Sequence, residues 1–267
     1  MTYQPVIAGP GLVGWHFLQR TYDAQFAAFN RSPLVERNSE YFLDRIANVT
    51  SASDLVKDRR LLGIALGAFG LQDDIDNRYF IQRILEDGTK SEDALATRLS
   101  DSRYRKLSEA FGFGPGETVA TGDAERMANL VRQNRLQTFE VAVGEVDETM
   151  RIAMYGERTI EELANSESED EVKWLRILGQ PPLRTLFETA LGLPTGFGQV
   201  DIDKQADILS DRTRTAIGGT EVSQFAKPEA RNKLVSLFLA RSQIAAVGDP
   251  ASTNAIALQL LQSAGQI

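Results

Sequence analysis

Ser51-Ala-Ser-Asp-Leu-Val-Lys-Asp-Arg-Arg-Leu-Leu-Gly-Ile-Ala-Leu-Gly-Ala-Phe-Gly-Leu71 holds a helix start, an apolar stripe and a helix stop. Ser51 and Asp54 stand three apart, the spacing of a capping box with aspartate in place of glutamate. Leu55, Arg59, Leu62, Leu66 and Phe69 then recur at steps of three and four, so the spacing predicts one helix running up to Gly70. Glycine can take a left-handed conformation there without a Cβ clash, and the apolar residue after it can fold back onto the last turn. The same ending returns at Ala110-Phe-Gly-Phe113 and at Ala190-Leu-Gly-Leu193.

Outward from this stretch the chain keeps the helical period. Trp15, Leu18, Tyr22, Phe26 and Phe29 form one stripe, and Ser39 to Ile46 predicts a second helix with Tyr41, Phe42 and Ile46 inward. Shorter helices follow at 77–86, closed by Gly88, from Ser91 with Leu95 and Leu99 buried, and at 101–111. Between Asp123 and Tyr155 the only interruption is Gly144, which predicts one long helix or two nearly collinear ones hinged near it, with Met127, Leu130, Val131, Val141 and Met150 inward. Asn165 to Asp170 reads as a polar linker, and Ser168-Glu-Asp-Glu171 as a capping box for the helix of Trp174 and Leu178. Pro181 and Pro182 open the next helix, where a missing amide hydrogen is harmless, with Leu186, Phe187 and Leu191 on its buried side. Asp201 caps a helix through Leu209, Pro228 starts a longer one, and Ile256, Leu260 and Leu261 mark a tail helix.

No segment alternates long enough for a sheet; Val6–Ala8 and Val119–Thr121 are the only strand-like pieces. The fold class is therefore all-α: an irregular multi-helix bundle of short capped helices around one long central helix or helix pair. It divides into an N-terminal arm and first helix (1–33), an N-terminal helical subdomain (34–118), a long helix with a C-terminal helical subdomain (119–247), and a tail helix (248–267). Ala65-Leu-Gly with Asp74-Ile-Asp and Ala190-Leu-Gly with Asp201-Ile-Asp further suggest two similar helix–loop–helix units.

Composition narrows the chemistry. Thirty-seven acids against 29 Lys and Arg give a net charge of −8, which repels phosphate backbones and argues against nucleic acid as a partner. Cysteine is absent, so disulfides, thiolate metal sites and cysteine nucleophiles are excluded. The single histidine, His16, limits triads and histidine metal sites to its own surroundings. No window approaches the ~18 apolar residues of a spanning helix, and Met-Thr-Tyr-Gln-Pro begins no cleavable leader, so no membrane insertion is expected.

The candidate motifs read as structure. Gly9-Pro-Gly11-Leu-Val-Gly14 matches the dinucleotide fingerprint, but Pro5 interrupts the strand such a site needs and an amphipathic helix follows. Asp73, Asp74 and Asp76 could hold magnesium for phosphoester or small-ligand chemistry if acids from a facing helix joined them; they read instead as acids at a helix N-terminus. Lys57-Asp-Arg-Arg60 reads as a salt-bridged helix face rather than an anion site, and the glycine loops 112–116 and 192–198 lack the Lys-Ser/Thr pair of a P-loop. No catalytic, cofactor-binding or metal-ligating residue is assigned.

As a whole, Asp54 to Leu62, Ala65 to Leu71, Asp74-Ile, Phe80 to Gly88, Arg98 to Asp101, Arg103 to Arg105 and Ala110 to Phe113 resemble an alphaproteobacterial family called domain of unknown function 1217. The likeness continues through Pro182-Leu-Arg184, Ala190 to Pro194 and Asp201 to Gln205. Members of that family often lie among flagellar genes. The resemblance implies a non-enzymatic role in flagellar assembly, structure or control, with other proteins, flagellar components among them, as partners and no cofactor. It fits a cytoplasmic assembly factor, or an axial or cap-like component exported without a cleaved signal by the flagellar secretion apparatus.

Overall fold

The computed structural model describes residues 3–99 and 101–248. Every regular element among them is helical, with thirteen α-helices, four short 3-10 turns and no strand. None of these helices is long and apolar enough to cross a membrane. The tail helix expected within 248–267 lies, apart from Gly248, outside the described residues. The described residues form two compact units, one within 3–6 and 21–145, the other within 7–20 and 146–248.

In the first unit the quoted stretch is two helices, not one. α1 (Gly11–Asn30) gives its second half to this unit, and α2 (Pro33–Arg45), α3 (Ala52–Lys57) and α4 (Arg59–Ala68) follow. Asp58 leaves the helical region (φ −94°, ψ 103°), and its carboxylate accepts the amide hydrogens of Arg60 and Leu61. A run that is periodic in sequence is thus re-nucleated midway by an aspartate cap. The break lets Leu55 and Val56 of α3 and Leu61, Leu62 and Leu66 of α4 enter one core with Phe42, Ile81, Leu107 and Phe111. Around it stand α5 (Arg78–Asp87), α6 (Leu95–Arg98), α7 (Ser102–Phe111) and α8 (Ala124–Val146). α2 starts at Pro33, well before Ser39, because proline suits the first turn. In α6, Ala94 and Ala96 are buried at its start while Leu95 and Leu99 are half-buried.

Of the two alternatives for 123–155 the structure takes two helices, and the break expected near Gly144 falls at Asp147 (φ −152°, ψ 106°), whose carboxylate caps the amides of Thr149 and Met150. Met127, Leu130 and Val131 are buried as the period requires; Val141 is half-buried, and Phe139 and Val143 fill its place. The Phe139 ring lies 5.4 Å from Phe29, 5.5 Å from Phe26 and 5.6 Å from Tyr22, edge-on to each. Tyr22, Phe26 and Phe29, the second half of the first helix's aromatic stripe, therefore have their partner in the middle of α8.

The second unit contains α9 (Glu148–Ala164), α10 (Asp170–Leu178), α11 (Pro181–Leu191), α12 (Ile202–Ala216) and α13 (Pro228–Gly248). α11 packs against α9, α10, α12 and α13. Its Phe187 takes the edges of Trp174 and Phe225, each 5.6 Å away. The capping box expected at Ser168 does not form. Glu169 occupies the cap position without a side-chain bond, and Asp170 instead accepts the Val222 amide at 2.7 Å, tying α10 to the 3-10 turn Val222–Ala226. Arg231 is buried, donates to the carbonyls of Phe225 and Ala226, and pairs with Glu161 at 3.0 Å.

The three glycine endings form as expected, in two versions. Leu71 N–H reaches Leu66 O and Gly70 N–H reaches Gly67 O, while Leu193 and Gly192 make the same pair of bonds to Glu188 and Thr189. Both are Schellman motifs. Gly112 makes the simpler single bond, to Ser108 O. Each glycine has φ between 65° and 68°. Leu71 is buried, whereas Phe113 and Leu193 are half-buried, so only the first loop is pinned fully into the core. Both Schellman endings lead through a 3-10 turn (Gln72–Asp74 and Thr195–Gln199) into another helix, which gives the two similar helix–loop–helix units their shape.

The surroundings of the glycines differ. A Cβ on Gly112 would strike the Thr118 carbonyl oxygen, whereas one on Gly192 would meet only the Arg241 guanidinium. Gly192→Ala should cost about 1 kcal/mol, the penalty of a left-handed alanine. Gly112→Ala should cost at least ~1 kcal/mol more, since backbone must also move. Urea unfolding of the two variants checks the order; equal losses would refute it.

Candidate functional site

The polar residues singled out in the sequence mostly serve the fold. Tyr41 of α2 donates its hydroxyl to Asp58 Oδ2 at 2.7 Å, and the Arg60 guanidinium lies 3.7 Å from the Tyr41 ring centroid. Arg60 Nη2 also donates to Arg37 O and Asn38 Oδ1, both at 3.2 Å, and Arg45 approaches the same ring at 4.7 Å. Burial opposes the Asp58 charge, but the Tyr41 hydroxyl and the Leu61 and Arg60 amides outweigh it and hold its carboxyl below the usual range. Tyr41 was expected to face inward as an apolar residue; it is a half-buried hub joining α2 to the start of α4.

The three aspartates do not converge. Asp74 accepts from the Tyr104 hydroxyl at 2.7 Å and from Asn77 Nδ2 at 2.8 Å. Burial, then the Asp74 bond, push the Tyr104 hydroxyl up to about 12. Asp76 pairs with Arg59, and Asp73 is exposed on the 3-10 turn. Among the described residues no group of three His, Asp or Glu side chains is placed to hold a metal ion. His16 is exposed on α1, beside the buried Trp15. The fingerprint-like glycines open α1 directly, with no strand before them: Gly9 has φ 95°, and Gly14 packs against the Gly9 carbonyl and the Ile7 and Met150 side chains.

Two open grooves each lie within one unit. In the first unit a groove of about 430 Å³ runs between α2, α4 and α8. Leu34, Val35 and Ile64 supply its apolar wall, Asn134 and Thr138 its polar wall, and Arg59 and Arg60 stand at its edge. Gly63 also lines the groove, and a Cβ there would meet only Ile75 Cδ1, at 4.0 Å. Leu34 is 48% exposed although it opens a packed helix. In the second unit a groove of about 380 Å³ lies between the Leu193–Val200 loop and α12, lined chiefly by Leu193, Pro194, Phe197, Val200 and Ile208. The first groove is not visible in the sequence, because it is assembled by three helices far apart in the chain; the second joins a loop to the helix that follows it. The exposure of Leu34, just after an N1 proline, was the nearest local signal.

A family model described as a protein of unknown function, DUF1217, matches residues 68–230. The chain belongs to this family. The DUF1217 chain is also similar to an Agrobacterium tumefaciens protein solved by X-ray crystallography in a structural-genomics programme. The two are 26% identical with a TM-score of 0.71, over 90% of this chain and 96% of that one. No curated protein matches the chain.

Two tests follow from this geometry. The carboxylate of Asp58 contributes stability above its unfolded-state value, and that contribution is lost as pH falls through the lower folded-state value. The stability gap between wild type and Asp58→Asn should thus be widest near neutrality and shrink in acid; a gap that grows in acid would contradict the assignment. Because Asp74 and Asp76 are turned to Tyr104 and Arg59, millimolar magnesium should leave the melting temperature unchanged in wild type and Asp74→Asn alike. A magnesium-dependent rise abolished by Asp74→Asn would restore a metal site.

Proposed function

We propose that this DUF1217 chain is a non-enzymatic interaction protein of the flagellar system that acts by docking a segment of another protein. The observation that carries this reading is the α2/α4/α8 groove, with its exposed Leu34 and apolar Val35 and Ile64 bordered by Arg59 and Arg60. Apolar anchors ringed by guanidinium and amide groups suit a protein segment better than a small reactive substrate, because interface cores favour apolar contacts and arginine. The flagellar assignment rests on the family and on the flagellar gene neighbourhoods of its members. Of the three candidate aspartates, Asp74 is bonded to Tyr104 and Asp76 is paired with Arg59, which supports binding over chemistry.

The experiment is a pull-down from the native organism with the full chain as bait. Flagellar proteins should be recovered, and Leu34→Asp should reduce their recovery at least tenfold while Val172→Asp, at an exposed site of the second unit, does not. A deletion strain with normal flagella and motility would overturn the flagellar assignment. Equal recovery by both variants would overturn the groove. Recovery of the chain itself in purified extracellular flagellar structures would favour the exported axial or cap-like reading.

A further inference from the structure

Given the docking role proposed for the groove of the first unit, we infer that the protein segment it takes is acidic as well as apolar. Its apolar side chains lie against Leu34, Val35 and Ile64, and an Asp or Glu carboxylate on the same segment pairs with Arg60.

Three observations carry this. First, the charge around the groove has one sign. The chain has a net charge of −8, yet no residue lining the groove is acidic, while Arg59 and Arg60 both line it. Arg59 is paired with Asp76, but among the described residues Arg60 has no carboxylate partner. The nearby Asp58 carboxylate is occupied by the Tyr41 hydroxyl and by the Arg60 and Leu61 amides.

Second, the Arg60 guanidinium is positioned before any partner arrives. It is exposed, lies 3.7 Å from the Tyr41 ring centroid, and bonds Arg37 O and Asn38 Oδ1 through Nη2 alone. Its Nη1 and Nε hydrogens therefore remain to be satisfied, in a plane that the ring holds. A guanidinium fixed in this way loses little side-chain freedom on pairing, and its planar fork matches a carboxylate.

Third, the neutral groups beside it are donors as well. Asn38 Oδ1 accepts from Arg60, and Asn134 Oδ1 faces Gly67, where a Cβ would strike it. The amide nitrogens of both asparagines have no acceptor among the described residues. An apolar wall ringed by N–H donors is complementary to apolar side chains flanked by carboxylates. A polyanion without apolar side chains, such as nucleic acid, would leave that wall wet and be repelled by the net charge.

The test selects a phage-displayed library of random short peptides against the full chain. Peptides that lose at least tenfold in affinity with Leu34→Asp sit in the groove. They should be enriched in Asp and Glu over the unselected library and weaken at least fivefold with Arg60→Gln. With their acids changed to amides, Arg60→Gln should cost less than twofold. On the wild-type chain, raising salt from about 50 to about 500 mM should weaken the acidic peptides at least fivefold, a readout that needs no variant. Groove peptides that are neutral or basic, or that ignore salt, would overturn the acidic partner and leave docking intact. Selection of no Leu34-dependent peptide would overturn both. Acidic groove peptides alongside a pull-down without flagellar proteins would uphold this inference and overturn the flagellar assignment alone.

Discussion

Every α-helix leaves four amide donors and four carbonyl acceptors without partners inside it, and a chain cut into thirteen described helices has many such ends to satisfy. Asp58, Asp101, Asp147 and Asp201 each turn a carboxylate onto the amides of the helix they precede, and Ser51 does the same with its hydroxyl. At the other ends, Gly70, Gly112 and Gly192 adopt left-handed conformations that return amides to the last carbonyls. Without these devices short helices would gain too little from their own hydrogen bonds to offset the entropy of ordering them.

The acidic balance of the chain gains a structural meaning from this. Several of its carboxylates neutralise helix N-termini or pair with arginine, as Asp76 does with Arg59 and Glu161 with Arg231. Acids used in this way are separated from one another by the helices they cap, so they do not gather into a site. Exposed helix faces and grooves are then what the fold offers to a partner.

Much of this architecture was legible in the sequence. The helical period, the three glycine endings and the inward positions of Phe42, Leu186 and Phe187 depend on neighbours a few residues away, and local spacing reports them. Two of the misread positions involve partners distant in the chain. Asp170 meets the Val222 amide beside the unformed cap at Ser168. Asp58, where the run from Ser51 to Gly70 breaks, meets Tyr41 of α2 as well as its own downstream amides. The break at Asp147, by contrast, is a local cap.

The candidate site shows the same division. Arg59 and Arg60 lie in the run read as a charged helix face; Arg59 does pair with Asp76, but Arg60 binds Arg37 O, Asn38 and the Tyr41 ring, and the groove they border also needs Leu34 from α2 and Asn134 from α8. The sequence by itself determined an all-helical, cysteine-free chain and where most of its helices stop, because backbone geometry and apolar period are local properties. Only the tertiary structure decided which carboxylates became caps, which rings meet Phe139 and Phe187, and where the grooves open. Those outcomes depend on which distant segments pack together, and packing is set by the three-dimensional fit of whole faces rather than by the order of residues within one helix.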